Sequence, residues 1–293
     1  MFHPHAQSLY VRCENREIHC MDWAPNPAVA LRPVVVAWHG LARTGRDMDA
    51  LANHLSELGH RVICPDTLGR GLSQWSPQPE VEYCLSFYAR LALSLLDQLG
   101  VQRCLWVGTS MGGAVGLHAA NGLLRGRIQA LVLNDMGPEI AKTAVERIRS
   151  YAGSPSAFDT VSELEAYFRT VYKPYGWLSD AQWTLLTESS VRRLPDGRVT
   201  PHYDPRMVMQ FTHHPEDYNL WAAFEGVDVP MLCLRGEHSD LLLRETTEQM
   251  PRRDPRARVV EVPGCGHAPA LNVAAHYELV DGFFAQAAGL SSA

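Results

Sequence analysis

The stretch V-G-T-S-M-G-G, Val107 to Gly113, follows the apolar run Arg103-Cys104-Leu105-Trp106-Val107 and precedes a segment of helical character from Met111 to Leu124. Small residues flank one serine on both sides. A strand that turns directly into a helix around a single residue strains that residue's backbone and leaves no room for neighbouring side chains. Gly108 and Gly112 therefore read as a steric requirement, and Ser110 as the residue lifted above the sheet edge. There its hydroxyl also lies at a helix N-terminus, where free N–H groups stabilise developing negative charge. G-x-S-x-G also arises by chance in glycine-containing loops, so the surroundings must decide. Phosphate-binding alternatives fit poorly: no Gly-Lys-Ser/Thr follows, and Ser110 stands where a dinucleotide-binding loop places glycine.

Outward from this point, short β-rich runs alternate with amphipathic helical stretches. An opening hairpin is expected around Asn15-Arg16. Pro33 to Trp38 reads as a buried strand ending at His39-Gly40. A helix follows from about Gly45 to Leu58, where Met48, Leu51, Ala52, Leu55 and Leu58 recur at helical spacing. Arg61 to Cys64 is a strand running into the turn-rich Pro65–Gly71 loop, and Tyr88 to Leu99 a helix. Ile128–Leu133, Val229–Arg235 and Arg258–Val262 complete the strands, with helices near Leu243–Met250 and Val273–Ala288. This alternation predicts an α/β fold with a mostly parallel twisted sheet flanked by helices. Residues 138–225 differ: helical segments rich in aromatic residues follow one another without strong strand runs. The expected organisation is a core of residues 1–137 and 226–293 interrupted by a helical cap at 138–225.

A serine hydroxyl is a poor nucleophile unless an imidazole can take its proton as the new bond forms. After a strand-to-helix serine of this kind, the order Asp or Glu and then His is expected at later strand ends. Gly264-Cys265-Gly266-His267 follows the strand ending at Val262, and His267 is the expected base. Arg235-Gly236-Glu237-His238-Ser239-Asp240 follows the strand ending at Leu234. Asp240, farther along that loop, is the preferred acid, with Glu237 bracing the loop; Asp135, at the end of the preceding strand, is a further candidate, and the choice between Asp240 and Asp135 stays open. Two backbone donors are needed for an oxyanion. Met111, after the nucleophile, supplies one, and Leu41, beyond the sharp turn that Gly40 permits, supplies the other. His39 reads as structural more readily than as a second base.

The composition fits a globular domain: 46% of the 293 residues are hydrophobic and 20% charged. With 26 Lys plus Arg against 32 Asp plus Glu, the net charge of -6 supplies no positive field for nucleic acid or anionic lipid. The first residues carry no basic and apolar leader pattern, and no apolar run approaches a membrane span. Seven cysteines without C-x-x-C spacing fit reduced thiols, so a cytoplasmic setting is expected. His213-His214 and the His3-Pro-His5 segment are weak metal candidates without H-E-x-x-H, and no metal is expected.

These residues resemble the α/β-hydrolase superfamily, in order and over nearly the whole chain. The resemblance rests on His39-Gly40, the D-x-x-G-x-G-x-S loop from Asp66 to Ser73, Gly108 to Gly113, Gly236 to Asp240, and Gly264 to His267. It implies a triad of Ser110, Asp240 and His267 with Leu41 and Met111 lining the oxyanion hole, no cofactor, and a capped esterase or carbon–carbon hydrolase. A serine nucleophile argues against the dehalogenase and epoxide hydrolase branches, which use aspartate. The expected activity is hydrolysis of carboxylic esters, small or hydroxyacyl, through an acyl-enzyme. The alternatives are cleavage of a carbon–carbon bond in a ring-cleavage product, with Arg43, Arg70 or Arg169 holding a carboxylate, and a non-catalytic binding protein on the same fold. His39, Gly40, Tyr172, Tyr175, Trp177 and Trp221 are candidate substrate contacts, although many cap aromatics are expected to form the cap's own core. The expected partner is a small-molecule ester; association into a homodimer is left open.

Overall fold

A computed structural model describes residues 6–289, so His3 and His5 lie outside the described residues. The strands are β1 (Ala6–Cys13), β2 (Arg16–Trp23), β3 (Val35–Trp38), β4 (Val62–Pro65), β5 (Cys104–Thr109), β6 (Ile128–Asn134), β7 (Val191–Arg193), β8 (Val199–Pro201), β9 (Met231–Gly236) and β10 (Ala257–Val262). Eight of them form one sheet in the order β1-β2-β4-β3-β5-β6-β9-β10. The β1–β2 and β2–β4 pairs are antiparallel, and every pair from β4 to β10 is parallel. The hairpin turns at Glu14 and Asn15, whose φ angles of 49° and 59° are the left-handed pair that matches the twist of the flanking strands.

The central strands are apolar at nearly every position because helices cover both faces of the sheet. Alternate residues go to opposite cores. Val36, Trp38, Cys104, Trp106, Leu131, Leu133, Met231 and Cys233 face one. Val35, Ala37, Leu105, Val107, Ala130, Val132, Leu232 and Leu234 face the other. On the first face Trp38 and Trp106 stack with centroids 5.2 Å apart, which fixes β3 against β5 beneath the G-x-S-x-G turn.

Between β6 and β9 the chain leaves the sheet. It forms helices at Lys142–Ala152, Val161–Val171, Asp180–Glu188 and Trp221–Gly226, with short helical turns between them. The Val161–Val171 and Asp180–Glu188 helices both begin with capping boxes, Thr160 with Glu163 and Ser179 with Gln182, which satisfy N–H groups that the helix cannot. This segment also contains the β7–β8 hairpin, so it is not purely helical as expected. Its own small core is Leu164, Phe168, Tyr172, Trp183, Leu186 and Val199. Among the described residues no helix is long and apolar enough to cross a membrane, and no group of His, Cys, Asp and Glu is arranged to hold a metal. All seven cysteines are buried free thiols.

Candidate active site

Ser110 links β5 to the Met111–Asn121 helix with φ 51° and ψ -117°, a strained conformation for a residue with a side chain. The packing enforces it. A Cβ on Gly108 would lie 2.2 Å from the Gly112 backbone, and one on Gly112 would lie 2.3 Å from the Trp38 carbonyl oxygen, so neither position accepts another residue without moving main chain. The Ser110 N–H donates to the Asn134 carbonyl at 2.9 Å, tying the turn to the end of β6.

The carboxylate that meets His267 comes from that neighbouring strand end. Asp135, itself at φ 52° and wholly buried, directs Oδ2 at His267 Nδ1 at 2.6 Å, and His267 Nε2 meets Ser110 Oγ at 2.9 Å. With Nδ1–H donating to the carboxylate, Nε2 is left to accept the serine proton. The Asp135 carboxylate also accepts from the Gly236 N–H at 2.7 Å and from the Ser239 hydroxyl. The preference for Asp240 is therefore corrected. Its side chain is 55% exposed and paired through two oxygens with Arg147, while Asp135 occupies the imidazole's Nδ1. The loop from Gly236 to Asp240 instead brackets Asp135, the residue that follows β6. Glu237 accepts from the Gly264 N–H at 2.9 Å, at the start of the loop that carries His267.

The other side of Ser110 is the β3 exit. Gly40 lies against Ser110, where a Cβ would make an ordinary contact with Ser110 Cβ at 3.7 Å. His39 is fully buried: its Nδ1–H donates to the Gly40 carbonyl at 2.6 Å and its Nε2 accepts from the Thr67 N–H at 2.9 Å. Burial lowers its pKa from 6.5 to about 4, so it is a neutral structural group. Holding the Gly40 carbonyl fixes the Gly40–Leu41 peptide plane, and in a trans peptide the Leu41 N–H then points the opposite way. Arg70 holds the next peptide, its Nε donating to the Leu41 carbonyl at 2.9 Å. Leu41 and Met111 border Ser110 in an apolar recess of about 20 Å³, together with Met136, Ile140, Ile148 and Leu241.

A larger cavity of about 410 Å³ opens over Ser110 and His267. Gly40, Tyr172 and Tyr175, three of the candidate contacts, line it together with Arg43, one of the three candidate carboxylate holders, and with Tyr151, Arg147 and Asp240. His39 lies behind, bordering an adjoining void. Trp177 and Trp221 are corrected: neither lines the cavity. Trp177 is 71% exposed, and Trp221 packs edge-on against Phe224 beneath Arg253. The roof is bonded to the histidine loop: Gly266 N–H donates to the Pro174 carbonyl at 2.7 Å, and Ala270 N–H to the Tyr175 carbonyl at 3.1 Å.

A second serine–histidine–aspartate relay stands elsewhere on the sheet. Ser8 Oγ meets His19 Nε2 at 2.8 Å, and His19 Nδ1 meets Asp66 Oδ2 at 2.7 Å. It borders its own cavity of about 400 Å³. Asp66 also accepts from the Gly45 and Leu72 N–H groups at 2.6 and 2.9 Å, so the D-x-x-G-x-G-x-S loop is held by its first residue.

Residues 34–280 match the alpha/beta hydrolase family. The chain belongs to that family. It is 39% identical over 260 residues to a 3-hydroxybutyrate-oligomer hydrolase of Cupriavidus necator, covering 86% of this chain and 88% of that protein. It is 26% identical over 236 residues to a 2-(acetamidomethylene)succinate hydrolase of Mesorhizobium japonicum, covering 80% and 81%. Among solved structures, an alpha/beta hydrolase from Novosphingobium aromaticivorans superposes with a TM-score of 0.85 at 29% identity, covering 98% of this chain and all of that one.

Proposed function

We propose that this hydrolase cleaves esters of short 3-hydroxy acids through an acyl-enzyme, with Ser110 as nucleophile, His267 as base and Asp135 as the group that orients and stabilises the imidazole. The observation that carries the reading is the unbroken relay from Asp135 through His267 to Ser110, with bonds of 2.6 and 2.9 Å, at the wall of a cavity of about 410 Å³. Similarity to the 3-hydroxybutyrate-oligomer hydrolase supports the ester class and the acid.

In this reading Ser110 Oγ bonds to the ester carbonyl carbon as its proton passes to His267 Nε2. The Leu41 and Met111 N–H groups receive the oxyanion, in a direction set by His39 on one side and the helix start on the other. Collapse breaks the carbon–oxygen bond, and His267 returns the proton to the leaving alkoxide. Water then repeats the sequence on the acyl-enzyme, regenerating Ser110 and releasing the acid. Residues 138–225 act as the cap that roofs this chemistry, and the reduced state of all seven cysteines supports a cytoplasmic setting.

Hydrolysis of the 3-hydroxybutyrate dimer and trimer, compared with p-nitrophenyl esters of increasing chain length, tests the reading. Turnover of the oligomers and of the shortest acyl chains is the expected result; inactivity on every ester, with no labelling of Ser110 by a fluorophosphonate, overturns it.

A further inference from the structure

Two spaces meet at the nucleophile, and their linings differ. Leu41, Ser110 and Ile148 border both the cavity of about 410 Å³ and the recess of about 20 Å³, so the two adjoin at Ser110. His267 lines the cavity and not the recess, whereas Met111 lines the recess and not the cavity. The recess is walled by hydrocarbon from both parts of the chain. Met136 and Leu241 come from loops that follow β6 and β9, Ile148 from the Lys142–Ala152 helix, and Phe211 from the short Gln210–His213 helix of the inserted segment. Tyr218 also lines it, but its hydroxyl is engaged, donating to Gln210 Oε1 at 2.8 Å. Gln210 is itself fully buried and donates from Nε2 to the Met207 carbonyl at 2.7 Å, and the Phe211 ring lies against Tyr218 with centroids 5.4 Å apart. A wall packed in this way does not admit an extra methylene without strain.

The chemistry divides the two halves of an ester between these spaces. His267 must protonate the leaving alkoxide, so the alcohol half lies in the cavity that His267 lines. The acyl carbon is bonded to Ser110 Oγ with its oxygen at the Leu41 and Met111 N–H groups, and these three residues all border the recess. We infer that the recess receives the hydrocarbon end of the acyl unit, and that Phe211, backed by Tyr218, sets the longest acyl chain the enzyme accepts. A space of about 20 Å³ is little more than one water needs, so it holds roughly one or two methyl-sized groups, the end of an acyl chain of about four carbons. A longer chain has to displace Phe211 or Ile148, and both are held in the packing of the inserted segment against the sheet domain.

The inference rests on the proposed ester hydrolysis, and the experiment separates the two. Two series are compared by kcat/KM: p-nitrophenyl acetate, butyrate, hexanoate and octanoate, in which only the acyl chain grows, and methyl, butyl and hexyl butyrate, in which only the alcohol grows. The wild type is expected to lose at least about tenfold from p-nitrophenyl butyrate to hexanoate, the effect of methylenes that a hydrocarbon pocket refuses, and to vary less than about threefold along the alcohol series. Phe211→Ala is expected to raise the hexanoate-to-butyrate ratio at least about tenfold. Tyr151→Ala, which alters the wall of the cavity and not of the recess, leaves that ratio unchanged. Taking a ratio removes any loss of activity common to both substrates. Should Phe211→Ala fail to fold, Phe211→Leu and the two wild-type series decide. A wild type that accepts octanoate as readily as butyrate, a loss that follows the alcohol chain instead of the acyl chain, a ratio that the Phe211 variant leaves unaltered, or one that Tyr151→Ala moves as far overturns the assignment of the recess. Failure to hydrolyse any of these esters, with Ser110 unlabelled by fluorophosphonate, overturns the ester reading itself.

Discussion

Two serine–histidine–aspartate relays occupy this molecule, and their side-chain geometry is nearly the same. Ser110–His267–Asp135 closes with bonds of 2.9 and 2.6 Å, and Ser8–His19–Asp66 with 2.8 and 2.7 Å. Each borders a cavity of about 400 Å³. The backbone separates them. Ser110 is a strained turn residue at the head of a helix, facing the Gly40–Leu41 loop, whereas Ser8 lies within an antiparallel strand opposite Met21. The first has the N-terminus of a helix directly after its serine, and the second does not. Three side chains in line are by themselves only a route for a proton; in the proposed reaction the peptide groups beside Ser110 supply the stabilisation that a route alone lacks.

The sharpest way to break this comparison is to ask which serine reacts. Replacing Ser110 by Ala is expected to reduce kcat roughly 10⁴-fold or more and to abolish fluorophosphonate labelling, located by mass spectrometry of peptides. Label on Ser8 would overturn the distinction. The acids come next. Asp135→Asn is expected to lower kcat about 10³- to 10⁴-fold by presenting the wrong imidazole tautomer, while Asp240→Asn, at an exposed pair, changes it by less than about threefold. Equal losses would return Asp240 to consideration.

His39 bridges the two regions, bonded to Gly40 beside Ser110 and to Thr67 beside Asp66. Its folded pKa, about 4, is below the ordinary 6.5, so the stability it contributes is complete above 6.5 and is lost as pH falls toward 4. The loss is on the order of 3 kcal/mol, read as the difference between pH 7 and pH 4.5 denaturation curves of the wild type and His39→Gln. A variant with the same pH slope as the wild type would remove His39 from that account. The smallest effect is expected for Ser8→Ala: a stability change under about 1 kcal/mol and unaltered ester turnover, by denaturant titration and a steady-state assay.

Much of the sheet was legible because apolar runs buried on both faces are continuous, and because Gly108 and Gly112 mark a turn with a single steric explanation. The acid was not. Asp135 and Asp240 fall in the same chain order between serine and histidine, and the choice depends on where their carboxylates point. Asp135 directly follows the strand paired with β5, and Asp240, at the half-exposed edge of the cavity, is taken up by Arg147. The β7–β8 hairpin escaped because strands of three residues carry no readable period. Trp177 and Trp221 were misplaced for a related reason: aromatic composition marks an inserted segment without indicating which rings face inward. Arg43 was visible as an arginine after His39-Gly40, but its pairing with Asp47 and Ser190 beside the rings of Phe168 and Tyr172 arises only in the folded chain.

The bonds from Gly266 to Pro174 and from Ala270 to Tyr175 grip the His267 segment at both ends. The imidazole that meets Ser110 is thereby braced by main chain of the inserted segment, so residues 174–175 share in holding it in line.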